Sequence, residues 1–248
     1  MVFIKRFILM LQFMTTIPIP ARLNVTQEDF GKGLVFAPVI GLTIGGMLAV
    51  SWYLLIQVFS PAITAVMTVI VYILLTGGLH LDGLADTADG IFSNRPRERI
   101  LDIMRDSRIG TNGVLALVAV LLLDIMLISG INGEQTIKSL LLMPVAGRIG
   151  SLVGAGMSEY ARQGEGLGRS FVEYCGPVQV IIGLIVSLAI FLGLLGKYAV
   201  IFVLPILMAF ALSRFLGRKI GGVTGDILGA VCELNQVIFL IAICVIFK

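Results

Sequence analysis

Long apolar runs occupy residues 33–59, 62–76, 114–129, 137–156, 178–195, 198–212 and 227–247, with short polar turns between most of them. Runs of this length and apolarity predict transmembrane helices. The chain therefore reads as an all-α polytopic membrane helix bundle of about seven spans. Gly41 and Gly45, four residues apart in the first run, predict close helix packing. An eighth apolar stretch, within residues 1–20, ends at Thr15, Thr16, Pro18 and Pro20 and is too short to span. No small-x-small cleavage site follows it, so it reads as an interfacial or re-entrant helix retained in the chain.

Four stretches break the apolar pattern. Residues 77–90, GGLHLDGLADTADG, carry Asp82, Asp86 and Asp89. On a helix these three fall within an arc of about 60°. Residues 91–110 are the most charged part of the chain and predict a short amphipathic surface helix, with Pro96 in its first turn and Glu98, Asp102 and Asp106 as a ladder on one side. Residues 158–176 contain GEGLGRS, whose glycines argue against regular structure. Residues 213–226, SRFLGRKIGGVTGD, form a basic linker before the last span.

Composition agrees with the pattern: 58% of the 248 residues are hydrophobic and 13% charged, against about 25% charged in soluble domains. Mean hydropathy is +1.03. No polar block is large enough to fold separately, so residues 1–248 read as a single integral membrane domain. A net charge of +3 marks no nucleic-acid partner. The distribution of the basic residues is more informative. With the N-terminus inside and seven spans, fourteen of the eighteen lysines and arginines fall on inside segments, leaving Lys138, Lys197 and Lys248 outside and Arg148 within a span. The positive-inside rule then places every long polar stretch at the cytoplasmic face and the C-terminus across the membrane.

A site at that face would have carboxylates, arginines, a lysine, glycines and small hydroxyl side chains. This inventory suits phosphate and Mg²⁺ chemistry, in which aspartates hold the metal and cations neutralise phosphoryl oxygens. The single histidine, His80, cannot build a His-rich zinc site, and H-E-x-x-H, C-x-x-C, G-x-x-x-x-G-K-[ST] and G-x-S-x-G are all missing. Cys175, Cys232 and Cys244 read as buried membrane thiols. Arg148 and Glu233, each inside an apolar run, predict an internal ion pair or a substrate contact. Two other classes share part of the inventory. A membrane prenyltransferase would need a second aspartate-rich motif, where this chain has only TGD. An ion transporter would move metal without forming a nucleotide product.

GGLHLDGLADTADG, followed by RERILDIMRDSRIGTNG, EGLG, GGVTGDILGA and CELNQ, resembles the cobalamin synthase family, adenosylcobinamide-GDP ribazoletransferase, over nearly the whole chain. The resemblance implies a Mg²⁺-dependent transfer at the bacterial inner membrane. The hydroxyl of α-ribazole, or of its 5′-phosphate, attacks adenosylcobinamide-GDP, GMP leaves, and the nucleotide loop of cobalamin is completed. On that reading Asp82, Asp86 and Asp89, with Asp102, bind metal, and Asp82, Asp106 and Arg105 act in catalysis. His80, Arg108, Lys219, Thr224 and Asp226 contact substrate. Membrane lipid and a complex with neighbouring pathway enzymes are the other expected partners. Asp86-Thr-Ala-Asp89-Gly90 also matches the start of the CDP-alcohol phosphotransferase pattern, but Ser93-Asn94 stand where Ala-Arg should. Similar metal chemistry is implied, without membership of that second family.

Overall fold

The computed structural model describes residues 2–164 and 166–247. They form helices α1 (Val2–Met14), α2 (Gln27–Gly33), α3 (Ala37–Leu55), α4 (Pro61–Thr76), α5 (Leu79–Ile91), α6 (Arg97–Ile103) and α7 (Thr111–Gly130). These are followed by α8 (Glu134–Gly156), α9 (Leu167–Tyr174), α10 (Pro177–Leu195), α11 (Val203–Gly217) and α12 (Gly225–Ile246). Among the described residues the only β pairing is an isolated bridge between Tyr160 and Val223.

The most enclosed helix is α8, which packs against α3, α12, α11 and α10. Between apolar helices there is little hydrophobic gain, so close backbone approach has to supply the packing. The expected contact of Gly41 and Gly45 is made here: a β-carbon on either would collide with the backbone of α8 at Leu141 to Val145. Gly147 and Gly150 of α8 face α12 in the same manner. The other sides of α3, α4, α7 and α10 carry exposed Val50, Leu74, Leu122 and Ile185 among many apolar neighbours. Such a surface is at home in lipid.

The contacts also fix the direction of each helix. The stretch Pro177–Gly217 has 41 residues, at 1.5 Å each about twice a bilayer core. It folds back on itself. Gly183 of α10 and Ser213 of α11 both lie beside residues 152–154 of α8, with a 3₁₀ turn at Gly196–Phe202 between them. So α10 and α11 are two antiparallel crossings. Together with α3, α4, α7, α8 and α12 they give seven, in agreement with the expected count. The start of α3, the end of α4, the start of α7, the end of α8 and the start of α12 meet at one end of the bundle. All four polar stretches lie there, and α1 lies with them, held through Lys5 and Arg6 to Asp29 of α2.

Two local expectations change. The amphipathic helix α6 is short: it begins after Pro96 and stops at Ile103, so Asp106 does not continue the Glu98, Asp102 ladder. Asp106 instead accepts hydrogen bonds from the backbone and guanidinium of Arg108, a local turn that competes with further helix. The stretch 158–176 is irregular only to Gly166 and then forms α9. Gly168 is tolerated in that helix because Gly225 of α12 lies against it, where a β-carbon would come to 2.8 Å from the Gly225 nitrogen.

The bend between α4 and α5 positions the polar end. Gly77 and Gly78 both adopt positive φ, 60° and 69°, a conformation that costs glycine little. The axis turns by 92°. Thus α4 makes the crossing and α5 runs across its end, over the first turns of α12. A β-carbon on Gly83 would lie 2.8 Å from the Asp226 carbonyl oxygen, and one on Gly229 would lie 3.1 Å from that of His80. Gly83→Val should therefore wedge α5 from α12 and destabilise the fold by roughly 1–3 kcal/mol, seen as a lower thermal midpoint in detergent. Gly46→Ala, where nothing lies within 4 Å of the new carbon, should leave the midpoint unchanged or raise it.

Candidate active site

A cavity of 360 Å³ opens at the polar end, between α5, the start of α12, the 160–168 segment and the ends of α1 and α9. Its polar wall consists of His80 and Asp82 from α5, Arg105, Tyr160, Arg162 and Asp226. Opposite stand Phe13, Leu34 and Phe171, and the Phe13 and Phe171 ring centroids are 5.1 Å apart.

Asp82 and Asp86 lie one turn apart on α5, as the spacing predicts. Asp226 joins them because the Gly83–Gly229 crossing brings the first turn of α12 against α5. Thr224 caps α12, accepting from the Ile227 amide at 3.2 Å and donating to Asp226 Oδ2 at 3.3 Å. The Arg162 guanidinium, absent from the sequence expectations, donates to the same Asp226 oxygen at 2.7 Å and to the Met104 carbonyl at 3.4 Å. Arg162 is held there by the Tyr160–Val223 bridge, with Ala161 N to Val223 O at 2.9 Å and Val223 N to Glu159 O at 2.8 Å.

This arrangement has more negative charge than one arginine balances. Burial, then the neighbouring Asp82 and Asp226, push the Asp86 carboxyl up to about 7, while Arg162 pulls it down and Asp89 adds to the rise. Hard oxygen donors sharing unbalanced charge suit a divalent cation such as Mg²⁺. They do not form a closed cage. Among the described residues, the only three His, Cys, Asp or Glu side chains with ligand atoms all within 4.8 Å of one another are His80, Cys232 and Glu233. Mg²⁺ does not need a closed cage, since it commonly takes one or two carboxylates and completes its shell with water and substrate phosphate. The His80, Cys232, Glu233 group is less suited. Arg148 lies against it, and both Glu233 oxygens are already bound, by Tyr72 Oη at 2.6 Å and Gln236 Nε2 at 2.9 Å.

The remaining candidates are spread more widely. Asp89 binds the start of α7: its two carboxylate oxygens accept from the Gly110 and Gly113 amides at 2.7 and 2.8 Å. Asp102 is exposed beside Arg99. Asp106 and Arg108 form an exposed pair outside the cavity, and that bond holds the Asp106 carboxyl down at about 2. Lys219 reaches away from the cavity and donates to the Ile91 carbonyl at the end of α5, at 2.8 Å. His80 is buried, and its Nδ1 has no partner. Arg148 is buried in α8 and donates to Gln236 at 3.4 Å, with no ion pair to Glu233 among the described residues. The motif-free 159–162 segment gave no signal for Arg162 beyond its place in the polar stretch.

An apolar bundle with acids and arginines gathered round a cavity at one end is the architecture of a polytopic membrane enzyme for a charged substrate. The profile of the family described as Cobalamin-5-phosphate synthase matches residues 6–244, and the chain belongs to that family. It is 52% identical over 244 residues to an adenosylcobinamide-GDP ribazoletransferase of Clostridium acetobutylicum, covering 98% of this chain and 97% of the relative. A relative of the same name from Acetivibrio thermocellus is 54% identical over 242 residues, covering 97% and 98%. One from Caldanaerobacter subterraneus is 41% identical over 237 residues, covering 95% and 96%. No solved structure matches the chain.

Replacing Asp89 by Ala should leave the Gly110 and Gly113 amides without their charged acceptor, a loss of about 1.5–3 kcal/mol for each such bond. Amide hydrogen exchange over residues 110–113 is expected to speed up by at least tenfold, with α8 unaffected.

Proposed function

We infer that this protein is an adenosylcobinamide-GDP ribazoletransferase acting at the bacterial inner membrane as one integral domain, with the polar end toward the cytoplasm. The hydroxyl of α-ribazole, or of its 5′-phosphate, forms a new P–O bond at the cobinamide-side phosphorus of the diphosphate. The bond to GMP breaks, giving adenosylcobalamin or its 5′-phosphate. The observation that carries this reading is the meeting of Asp82 with Asp226 at a cavity also lined by Arg105 and Arg162, with Asp86 beside the two acids. Family membership and the names of the relatives supply the substrates.

A cavity of 360 Å³ accepts the diphosphate and a nucleoside-sized group but not a corrin ring as well. The macrocycle therefore stays at the mouth. Arg105 and Arg162 bind non-bridging phosphoryl oxygens, and Asp82, Asp86 and Asp226 provide the oxygen donors for Mg²⁺. A Mg²⁺ ion held by these carboxylates would supply positive charge to offset that building on the departing GMP phosphate. A carboxylate of this group left free by the cation would take the proton of the attacking hydroxyl. His80 lines the cavity floor, next to where a substrate group would sit. Phe13 and Phe171 offer an apolar wall to the aromatic base of the ribazole. Thr224 keeps Asp226 in place, and Asp106, paired with Arg108 outside the cavity, has a minor part. Other enzymes of the pathway dock at this same end, where the substrates enter.

Purified protein given adenosylcobinamide-GDP, α-ribazole and Mg²⁺ should form GMP and cobalamin in equal amounts. Asp82→Ala should lower turnover by a thousandfold or more with membrane insertion intact, whereas Asp106→Asn should lower it less than tenfold. GMP without cobalamin would mark a hydrolase, and metal entry into sealed vesicles without GMP would mark a transporter.

Because a proton and a cation compete for Asp86, the half-saturating Mg²⁺ concentration should depend on pH. Above about 7 the carboxylate is free for the cation, and below it a proton must first leave. Half-saturation is expected to rise about tenfold from pH 8 to pH 6. A flat profile in initial-rate titrations would contradict the assignment.

A further inference from the structure

A second cleft, of 630 Å³, lies at the same end of the bundle and shares no lining residue with the first. Its walls are the residues just after α8, including Glu159, the last turns of α11 and the Gly221–Val223 turn. Arg214, in the last turn of α11, and Arg218, just after the helix, both line it. Neither pairs with a carboxylate among the described residues. Glu159 is the only acid in the lining, so the arginines leave the cleft positive. Ser213 also borders it, but its hydroxyl is buried against Gly154 of α8 and does not face the cleft. Two unpaired guanidinium groups are a donor set for phosphate oxygens.

What lies below the arginines narrows the ligand. The Arg214 guanidinium sits 5.2 Å from the centroid of the Phe210 ring, and Leu207 and Val203 continue down the same face of α11. All three apolar side chains are exposed, at 41%, 61% and 47%. A positive pocket at the head of an exposed apolar stripe matches one molecule in both charge and shape: a phosphate headgroup with its acyl chains. We propose that this cleft binds an anionic phospholipid, its headgroup on Arg214 and Arg218 and an acyl chain along Phe210, Leu207 and Val203.

The position gives the lipid a structural consequence. Glu159 and Val223 line this cleft and also make the backbone bridge that holds Tyr160 and Arg162 in the first cavity. A headgroup in the cleft braces the bridge from behind.

The binding test needs no enzymatic activity, so it stands apart from the reading of the first cavity. Detergent-purified full-length protein is titrated with dioleoylphosphatidylglycerol or dioleoylphosphatidylcholine and followed by native mass spectrometry and amide hydrogen exchange. Phosphatidylglycerol should be retained in preference to phosphatidylcholine and should slow exchange at the Ala161 and Val223 amides. Arg214→Gln with Arg218→Gln should weaken phosphatidylglycerol binding roughly 10- to 30-fold, and Arg214→Lys with Arg218→Lys should keep it within about threefold. Equal retention of the two lipids would overturn the proposal. So would unchanged affinity in the double glutamine variant, or no slowing of Ala161 and Val223 exchange in the unaltered protein, a measurement that does not depend on the variants folding. Inorganic phosphate slowing those two amides as well as the lipid does, and losing that effect in the double glutamine variant, would make the cleft a soluble-phosphate site and would also overturn it.

Discussion

Everything at the polar end depends on how closely α5 can lie across the start of α12. Gly83 and Gly229 allow a backbone approach that any side chain would block. Because of it, acids more than a hundred residues apart in the chain share one cavity. In apolar surroundings such close packing is also where helix association finds its energy, so the contact that assembles the site helps to hold the bundle. The 92° turn at Gly77–Gly78 is the other half of the device. Had α4 continued straight, its aspartates would have projected beyond the membrane end as a free helix.

The buried polar residues beneath the cavity obey a second constraint. Tyr72, Glu233, Gln236 and Arg148 are joined by hydrogen bonds of 2.6 to 3.4 Å within the apolar bundle. A charge there is costly unless neighbours solvate it, and these groups do so for one another, joining α4, α8 and α12. The floor of the cavity is thereby fixed to the centre of the bundle, while its rim is formed by short segments. One rim segment, 159–162, is held by a two-bond bridge, and the start of α7 is tied to α5 by Asp89.

Much of this was legible in the sequence. Seven apolar runs gave the seven crossings, and the concentration of arginines marked the end at which every polar stretch gathers. The spacing of Asp82, Asp86 and Asp89 gave a helix with all three on one side, as α5 shows. Spacing could not say what each carboxylate meets. Asp89 turns to the Gly110 and Gly113 amides because α7 starts beside it, a tertiary fact. Asp102, Asp106, Arg108 and Lys219 belong to polar stretches that reach the right end of the bundle yet point elsewhere. The ladder reading failed at Asp106 because Arg108 offered a local bond that competed with the helix. Arg162 was hidden for the opposite reason: its position depends on a pairing between residues 160 and 223, which no local pattern records. Arg148 and Glu233 were recognised as needing partners, but these proved to be Gln236 and Tyr72.

In the proposed mechanism α5 and α12 together hold the divalent cation that assists phosphoryl transfer. Anomalous diffraction from crystals grown with Mn²⁺ in place of Mg²⁺ and with a non-reacting analogue of the diphosphate substrate tests it most directly. A peak is expected in contact with Asp82 or Asp86 of α5 and with Asp226 of α12. A peak confined to His80, Cys232 and Glu233, or none within reach of Asp226, would contradict it.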